Sequence, residues 1–232
     1  MNFNPKIVTD GLILCLDAAD KKSYSGSGTT WHDRSGGDHD GTLISGPTHS
    51  TDNGGLFGFD GVNDYVNCPA TNSVIGENIS VISLSGWVKL TDSSSAYVFN
   101  CKRTSGGSTL VGLTANYNDG EGSLGALVRN NADTNHTWYD YNGSYNDGVW
   151  HNLVFTVGAT TNSLYIDGIL RDSDTGVGIQ SVSGNTGTIT VGSFGHAYWL
   201  NGNIASCCIY NKTLSASEIL QNFNAMRGRF GV

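Results

Sequence analysis

Short apolar runs recur along the whole chain, at residues 12–16, 56–59, 65–68, 79–90, 96–101, 109–113, 124–129, 137–141, 150–157, 163–166, 188–191 and 202–210. Several alternate apolar and polar residues with a period of two, the spacing that sends successive side chains to opposite faces of a sheet. Between the runs stand Asp60-Gly61, Asp119-Gly120, Asp147-Gly148 and Asp167-Gly168, pairs that supply the positive φ angles of tight hairpins. With 32 glycines against 3 prolines, the turns are built for hairpins and not for rigid linkers. A dozen short strands without helical periodicity predict an antiparallel all-β sandwich or barrel. Such sandwiches reach 232 residues as one unit and the composition is even throughout, so 1–232 reads as a single domain.

In the run at 82–90 the apolar phase slips at Gly86-Trp87, which predicts a bulge or bend. His151, at the start of a strand-like run, reads as a partly buried structural residue. One helix is expected near the C-terminus. Ser215-Ala216-Ser217-Glu218 has the form of a capping box, and Ile219, Leu220 and Phe223 supply an apolar face suited to covering an open end of the sandwich.

Charge removes several function classes. A net charge of −8 with 12 evenly spread Lys and Arg leaves no basic stripe to neutralise phosphates, which argues against nucleic acid. The longest apolar run, 12–16, is far short of the roughly 20 residues of a membrane-spanning helix. Residues 1–6 contain no apolar signal core, so any extracellular role is expected to use an exit other than secretion. Cys15, Cys68, Cys101, Cys207 and Cys208 show no CxxC spacing, and their odd number suits folding in a reducing cytoplasm, with the thiols packed as small hydrophobes.

Several segments share the wording of a known family. Gly11-Leu12-Ile13-Leu14-Cys15-Leu16-Asp17, Trp31-His32-Asp33-Arg34-Ser35-Gly36 and Phe59-Asp60-Gly61-Val62-Asn63-Asp64-Tyr65-Val66 resemble the opening of the concanavalin A-like lectin/glucanase superfamily in its laminin-G-like form. Trp150-His151-Asn152-Leu153-Val154, Leu164-Tyr165-Ile166-Asp167-Gly168 and Gly202-Asn203-Ile204-Ala205 resemble its closing strands. The resemblance implies an antiparallel two-sheet jelly-roll sandwich with one short C-terminal helix. Asp17-Ala18-Ala19, Gly28-Thr29-Thr30-Trp31 and the ending Glu218-Ile219-Leu220-Gln221-Asn222-Phe223 are similar to modules in virion proteins of tailed, especially marine, bacteriophages. That likeness implies a structural or adhesion protein of a phage particle, made in the host cytoplasm and released by lysis.

The superfamily also contains glucanases, which need two carboxyl groups about 5–5.5 Å apart in retaining enzymes. Glu77, Glu121 and Glu218 are the only glutamates and form no paired motif, while Asp133 and Asp140 are seven apart in Asn/Gly-rich surroundings. No Gly-x-Ser-x-Gly or zinc spacing is present, so the expectation is a protein that is not an enzyme. The loop around Asp33, Asp38 and Asp40 offers hard oxygen ligands, and family members often hold a structural calcium at a loop rim, so calcium is expected there.

Sugar recognition needs flat aromatic faces flanked by hydrogen-bonding side chains. Two clusters qualify: Trp138, Tyr139 and Tyr141, joined by Arg129, and His196, Tyr198 and Trp199. Two readings follow. In one, the chain is a displayed decoration or adhesion module that binds cell-surface glycan through these residues. In the other, it is a purely structural capsid or tail component whose aromatics pack against other virion proteins or further copies of the chain.

Overall fold

A computed structural model describes residues 6–77, 79–90, 92–103, 108–116, 122–130, 134–139, 143–175, 178–179, 187–194 and 197–232, with the backbone alone at 135 and 139. Sixteen strands are formed among them. The first eight are β1 (Leu12–Asp17), β2 (Thr30–Trp31), β3 (Gly41–Ile44), β4 (Thr48–Ser50), β5 (Leu56–Asp60), β6 (Tyr65–Ala70), β7 (Ile82–Leu90) and β8 (Ala96–Lys102). The rest are β9 (Thr109–Ala115), β10 (Leu124–Arg129), β11 (Asn135–Tyr139), β12 (His151–Val157), β13 (Thr161–Ile166), β14 (Ile169–Thr175), β15 (Thr188–Val191) and β16 (Asn201–Tyr210). A single helical turn, α1 (Thr71–Ile75), and a long helix, α2 (Ala216–Phe230), complete the elements used below.

The strands make two eight-stranded antiparallel sheets. The first runs β14-β13-β12-β7-β16-β5-β4, with β1 also paired to β16, and the second runs β11-β10-β9-β8-β15-β6-β3-β2. Leu84, Val88, Phe155, Leu164 and Ile204 from the first sheet meet Val98, Leu110, Leu113, Ala126 and Val128 from the second in one buried core. The expected sandwich is therefore the observed one. The hairpin at Asp167-Gly168 also forms as predicted, with φ of 56° and 75°, the two positive angles of a type I′ turn.

Two expectations need correction. Strand β7 carries no bulge at Gly86-Trp87: the partners of Val88 and Trp87 are Ile204 and Ser206, so the extra residue, Ala205, lies in β16. Gly86 faces inward, where an added Cβ would meet Val98 and Leu113, and Trp87 faces outward beneath α2. The apparent slip in phase is a strand buried on both faces. Likewise α2 does not close an end of the sandwich. It lies on the outer face of the first sheet, where Phe230 stacks on Trp87 at 4.3 Å and Trp150 packs on Phe230 at 4.8 Å.

The helix is held at both ends. Ser215 accepts the Glu218 amide while Glu218 reaches back to the Ser215 amide, the capping box anticipated from sequence. At its last turn Arg229 Nη1 binds Asp17 Oδ1 at 2.7 Å, Nε donates to the Asn53 carbonyl at 2.5 Å, and Nη2 donates to the Gly55 carbonyl. No helix among the described residues is long and apolar enough to cross a membrane.

Candidate functional site

The connection from β15 to β16 is suspended from the sheet edges by its backbone. Gly192 donates to the Val98 carbonyl at 3.0 Å, Leu200 donates to Gly192 at 2.9 Å, and Tyr97 donates to Tyr198 at 3.2 Å. Gly192 is required there, because its φ is 81° and a Cβ would stand 2.6 Å from the Phe59 ring. Leu200 is buried and anchors the loop, while Tyr198, with φ of 50° in the left-handed region, is 46% exposed. A tyrosine held in that conformation is uncommon, and it turns the side chain outward beside Phe194 and Tyr97, at 6.2 and 6.0 Å. Trp199 is half-buried against Tyr65, ring centres 5.8 Å apart.

Past the buried Leu200 the chain turns polar at Asn201, and the residue before Tyr65 is Asp64. Strands β5 and β16 pair so that Asn201 faces Asp60 and Asn203 faces Gly58. The Asp60-Gly61 turn closes on Asn201, where a Cβ at Gly61 would sit 2.9 Å from the Asn201 Cβ, and Gly61 donates to the Leu200 carbonyl. Gly58, Asp60, Asn201, Gly202 and Asn203, with Thr48, Phe59 and Asp64, line a cavity of about 230 Å³. That is smaller than the roughly 300–1,000 Å³ of sites for drug-sized molecules and suits one sugar ring.

Asp64 is 6% exposed. Burial, with the neighbouring charge of Asp60, raises its pKa, and the hydrogen bond from the Asp60 amide works the other way. The arrangement combines carboxylate and amide groups able to bind sugar hydroxyls, and the Tyr65–Trp199 pair lies on the same two segments of chain.

The residues predicted from sequence are not brought together. Strand β11 lies four strand spacings from β15, roughly 19 Å, so the two aromatic clusters occupy separate places. Trp138 is 2% exposed and packs on Phe155 at 4.9 Å between the sheets, which removes it as a stacking surface. It shares its face with Ala126, its partner on β10. Arg129 is half-buried at the end of β10, with Nε donating to the Thr109 carbonyl at 3.3 Å. Tyr139 is placed only by its backbone, opposite Gly125, and Tyr141 and His196 lie outside the described residues, as do Glu121, Asp133 and Asp140.

Sequence reasoning missed Thr48, Asp60, Asp64, Asn201 and Asn203 as a group. Phe59 to Val66 carried a fold motif and a turn signal, and nothing local says that a segment beginning more than 130 positions later pairs with it.

The predicted calcium loop is closed on itself. Asp33 Oδ1 accepts the amides of Cys15 and Ser35, each at 2.8 Å, and Oδ2 accepts Ser35 Oγ at 2.7 Å and the His39 amide at 3.2 Å. Asp40 accepts the Asp33 amide at 2.8 Å and meets His32 Nδ1 at 2.7 Å, while Asp38 is exposed with φ of 56°. Around Asp33 the neighbours present hydrogens, whereas Ca²⁺ requires six to eight oxygens turned toward it. The residues present do not fit the ion, and no cluster of three or more His, Cys, Asp or Glu able to hold a metal exists among the described residues.

His151 is half-buried, as expected, between Asp167 at 2.8 Å and Asp147 at 3.4 Å, with Tyr145 edge-on at 4.8 Å. Burial opposes its charge, but the Asp167 bond and the two aspartate charges prevail and raise its pKa.

A two-sheet antiparallel sandwich defines the class. The model of the family described as the concanavalin A-like lectin/glucanases superfamily, laminin G type, matches residues 60–220, and the chain belongs to that family. No curated protein matches the chain. Among solved structures, the binding domain of Paraclostridial Mosquitocidal Protein 1 is similar with a TM-score of 0.70 at 16% identity, covering 94% of this chain and 52% of that one. The receptor binding domain of botulinum neurotoxin C/D mosaic serotype is similar with a TM-score of 0.68 at 17% identity, covering 93% and 51%. The binding domain of Botulinum Neurotoxin DC in complex with SialylT gives 0.68 at 17%, covering 94% and 52%. The chain thus spans about half the length of these structures, and the likeness at this identity is one of fold.

Proposed function

We infer that the chain is a non-catalytic recognition module that binds glycan at the rim formed by Trp199, Tyr65, Asp60, Asp64 and Asn201. The observation that carries this reading is a ring-sized cavity lined by Asp60, Asp64, Asn201 and Asn203, with the partly exposed Tyr65 and Trp199 paired on the chain segments that flank its lining. Stacking on the aromatic edge would orient the ring, and the carboxylates and amides would accept and donate to its hydroxyls. The similar toxin structures are binding domains, one in complex with SialylT, which supports a recognition role. The lining residues here include two aspartates and no cation, so the ligand class is a neutral or amino-bearing sugar, in contrast to an acidic one.

The likeness of the opening and closing segments to phage modules supports display on a virion of a tailed phage, as a decoration or adhesion protein, with release by lysis. Five free buried thiols suit folding in a reducing host cytoplasm before release.

A second reading, docking to a neighbouring virion protein or another copy of the chain, rests on a different place. Edge strand β14 exposes Ile169 and Leu170 at 56% and 50%, and exposed Leu220 of α2 sits by the same hairpin, a Cβ at Gly168 falling 3.3 Å from it. Such an unpaired edge is a template for a further strand.

A glycan array of neutral, amino and sialylated sugars separates the two. The recognition reading expects saturable binding among neutral or amino sugars. Failure of all of them, together with virion association lost on Ile169→Asp, would replace it with the structural reading.

A further inference from the structure

Strand β1 is an edge strand on one side. The Cys15 amide donates to Asp33 Oδ1 and its carbonyl accepts the Arg34 amide, each at 2.8 Å, so both backbone groups of Cys15 point away from β16. Its register partner on β16 is Cys208. The two therefore occupy a non-hydrogen-bonded antiparallel position, where Cα atoms are about 4.5 Å apart and side chains approach most closely, inside the range a disulfide spans. The Cys208 thiol donates to Cys15 Sγ at 3.0 Å. Both cysteines line a cavity of about 350 Å³, together with Lys6, Ile7 and Thr9 of the N-terminal segment and Met226 of α2. Cys68 and Cys101, by contrast, are buried within the core between the sheets, and Cys207, next to Cys208, faces that core too.

We propose that Cys15 and Cys208 are an oxidative modification site, closed to a disulfide by a small-molecule disulfide such as oxidised glutathione entering this cavity, which latches the first strand to the last. In the first step one cysteine thiolate attacks a glutathione sulfur and expels one glutathione thiolate. In the second the other cysteine thiolate attacks the protein sulfur of the mixed disulfide and expels the second glutathione. Two protein thiols are oxidised, one disulfide is reduced, and the two thiol protons end on the released glutathiones. The pair would stay reduced in a host cytoplasm and close after release into an oxidising medium. The bond to Cys15 and burial hold the Cys208 thiol well above its ordinary pKa, so closure is slow at neutral pH and quickens as pH rises.

The test is incubation of the folded protein in oxidised glutathione, followed by thiol titration in denaturant, peptide mapping by mass spectrometry, and melting before and after dithiothreitol. The expected result is loss of two of the five thiols, a Cys15–Cys208 linked peptide, and a Tm higher by roughly 10 °C that dithiothreitol reverses, since the bridge closes a loop of about 190 residues. Cys15→Ala and Cys208→Ala should each abolish the shift, and Cys68→Ala should not. Survival of all five thiols, a stable glutathione adduct without the bridge, or a linked peptide joining any other pair would overturn the proposal. The wild-type mapping decides the matter even where a variant fails to fold.

Discussion

Two aromatic clusters in this molecule use similar residues to opposite ends. On the outer face of the first sheet, Trp87, Trp150, Phe223 and Phe230 are all buried, because α2 is capped at Ser215, clamped at Arg229 and laid across them. At the rim of the sandwich, Tyr198 and Trp199 ride on a loop held by backbone hydrogen bonds and anchored by Leu200, and neither is fully buried by the described residues. What distinguishes a buried aromatic from a partly exposed one here is cover, and cover is set by an element distant in sequence.

The contrast can be broken from the structural side first. Trp87→Ala empties a site beneath Phe223 and Phe230 and should cost about 3–5 kcal/mol in chemical denaturation. A loss under 1 kcal/mol would mean that α2 does not seal this face. Ser215→Ala removes one half of the capping box and should cost about 1 kcal/mol, read as a lower denaturation midpoint with an unchanged slope.

Asp64→Asn sharpens the other side of the comparison. Burial and Asp60 raise the Asp64 pKa, so the folded state favours the protonated form, and its relative advantage is lost as pH rises through that raised value. The variant should therefore be more stable than wild type at pH 7, by up to about 1 kcal/mol, and equal to it in acid, while glycan binding weakens about tenfold. Stability gained at neutral pH with affinity lost is the mark of a group kept for binding. An Asp64→Asn protein that is weaker in both respects would make Asp64 structural.

The smallest effect is at His151. Its raised pKa means that its ion pairs with Asp167 and Asp147 contribute fully below the unfolded value of about 6.5 and are lost as pH rises through the folded value. Wild type should lose under about 1 kcal/mol across that interval relative to His151→Ala, measured as the pH dependence of the denaturation midpoint. A flat difference would remove the ion pairs from the stability account.

The twelve strand-like runs, the hairpin at Asp167 and the capping box were all readable, because period, turn residues and caps are local signals. The short strands β2, β3 and β4 lacked enough residues to show a period, and the extent of β14 beyond the predicted hairpin was illegible because it is exposed on both faces. Trp87 and Trp138 show where local reading stops. Alternation assigns each to a face, but only tertiary packing says that α2 buries the first and the opposite sheet the second. The rim cavity was illegible for the same reason: Asp60 and Asn201 meet through the pairing of β5 with β16. Tyr198 was legible as an exposed-type aromatic, since it sits in a loop where core packing is hard to satisfy, whereas Trp199 beside it is half-buried against Tyr65.

The most direct test is isothermal titration of the best neutral or amino sugar from the array into wild type and Trp199→Ala, with the melting temperature of each recorded. Recognition at this rim predicts one-to-one binding by wild type and at least tenfold weaker binding by Trp199→Ala, at a Tm within about 4 °C of wild type. Equal affinity in the two proteins would contradict it.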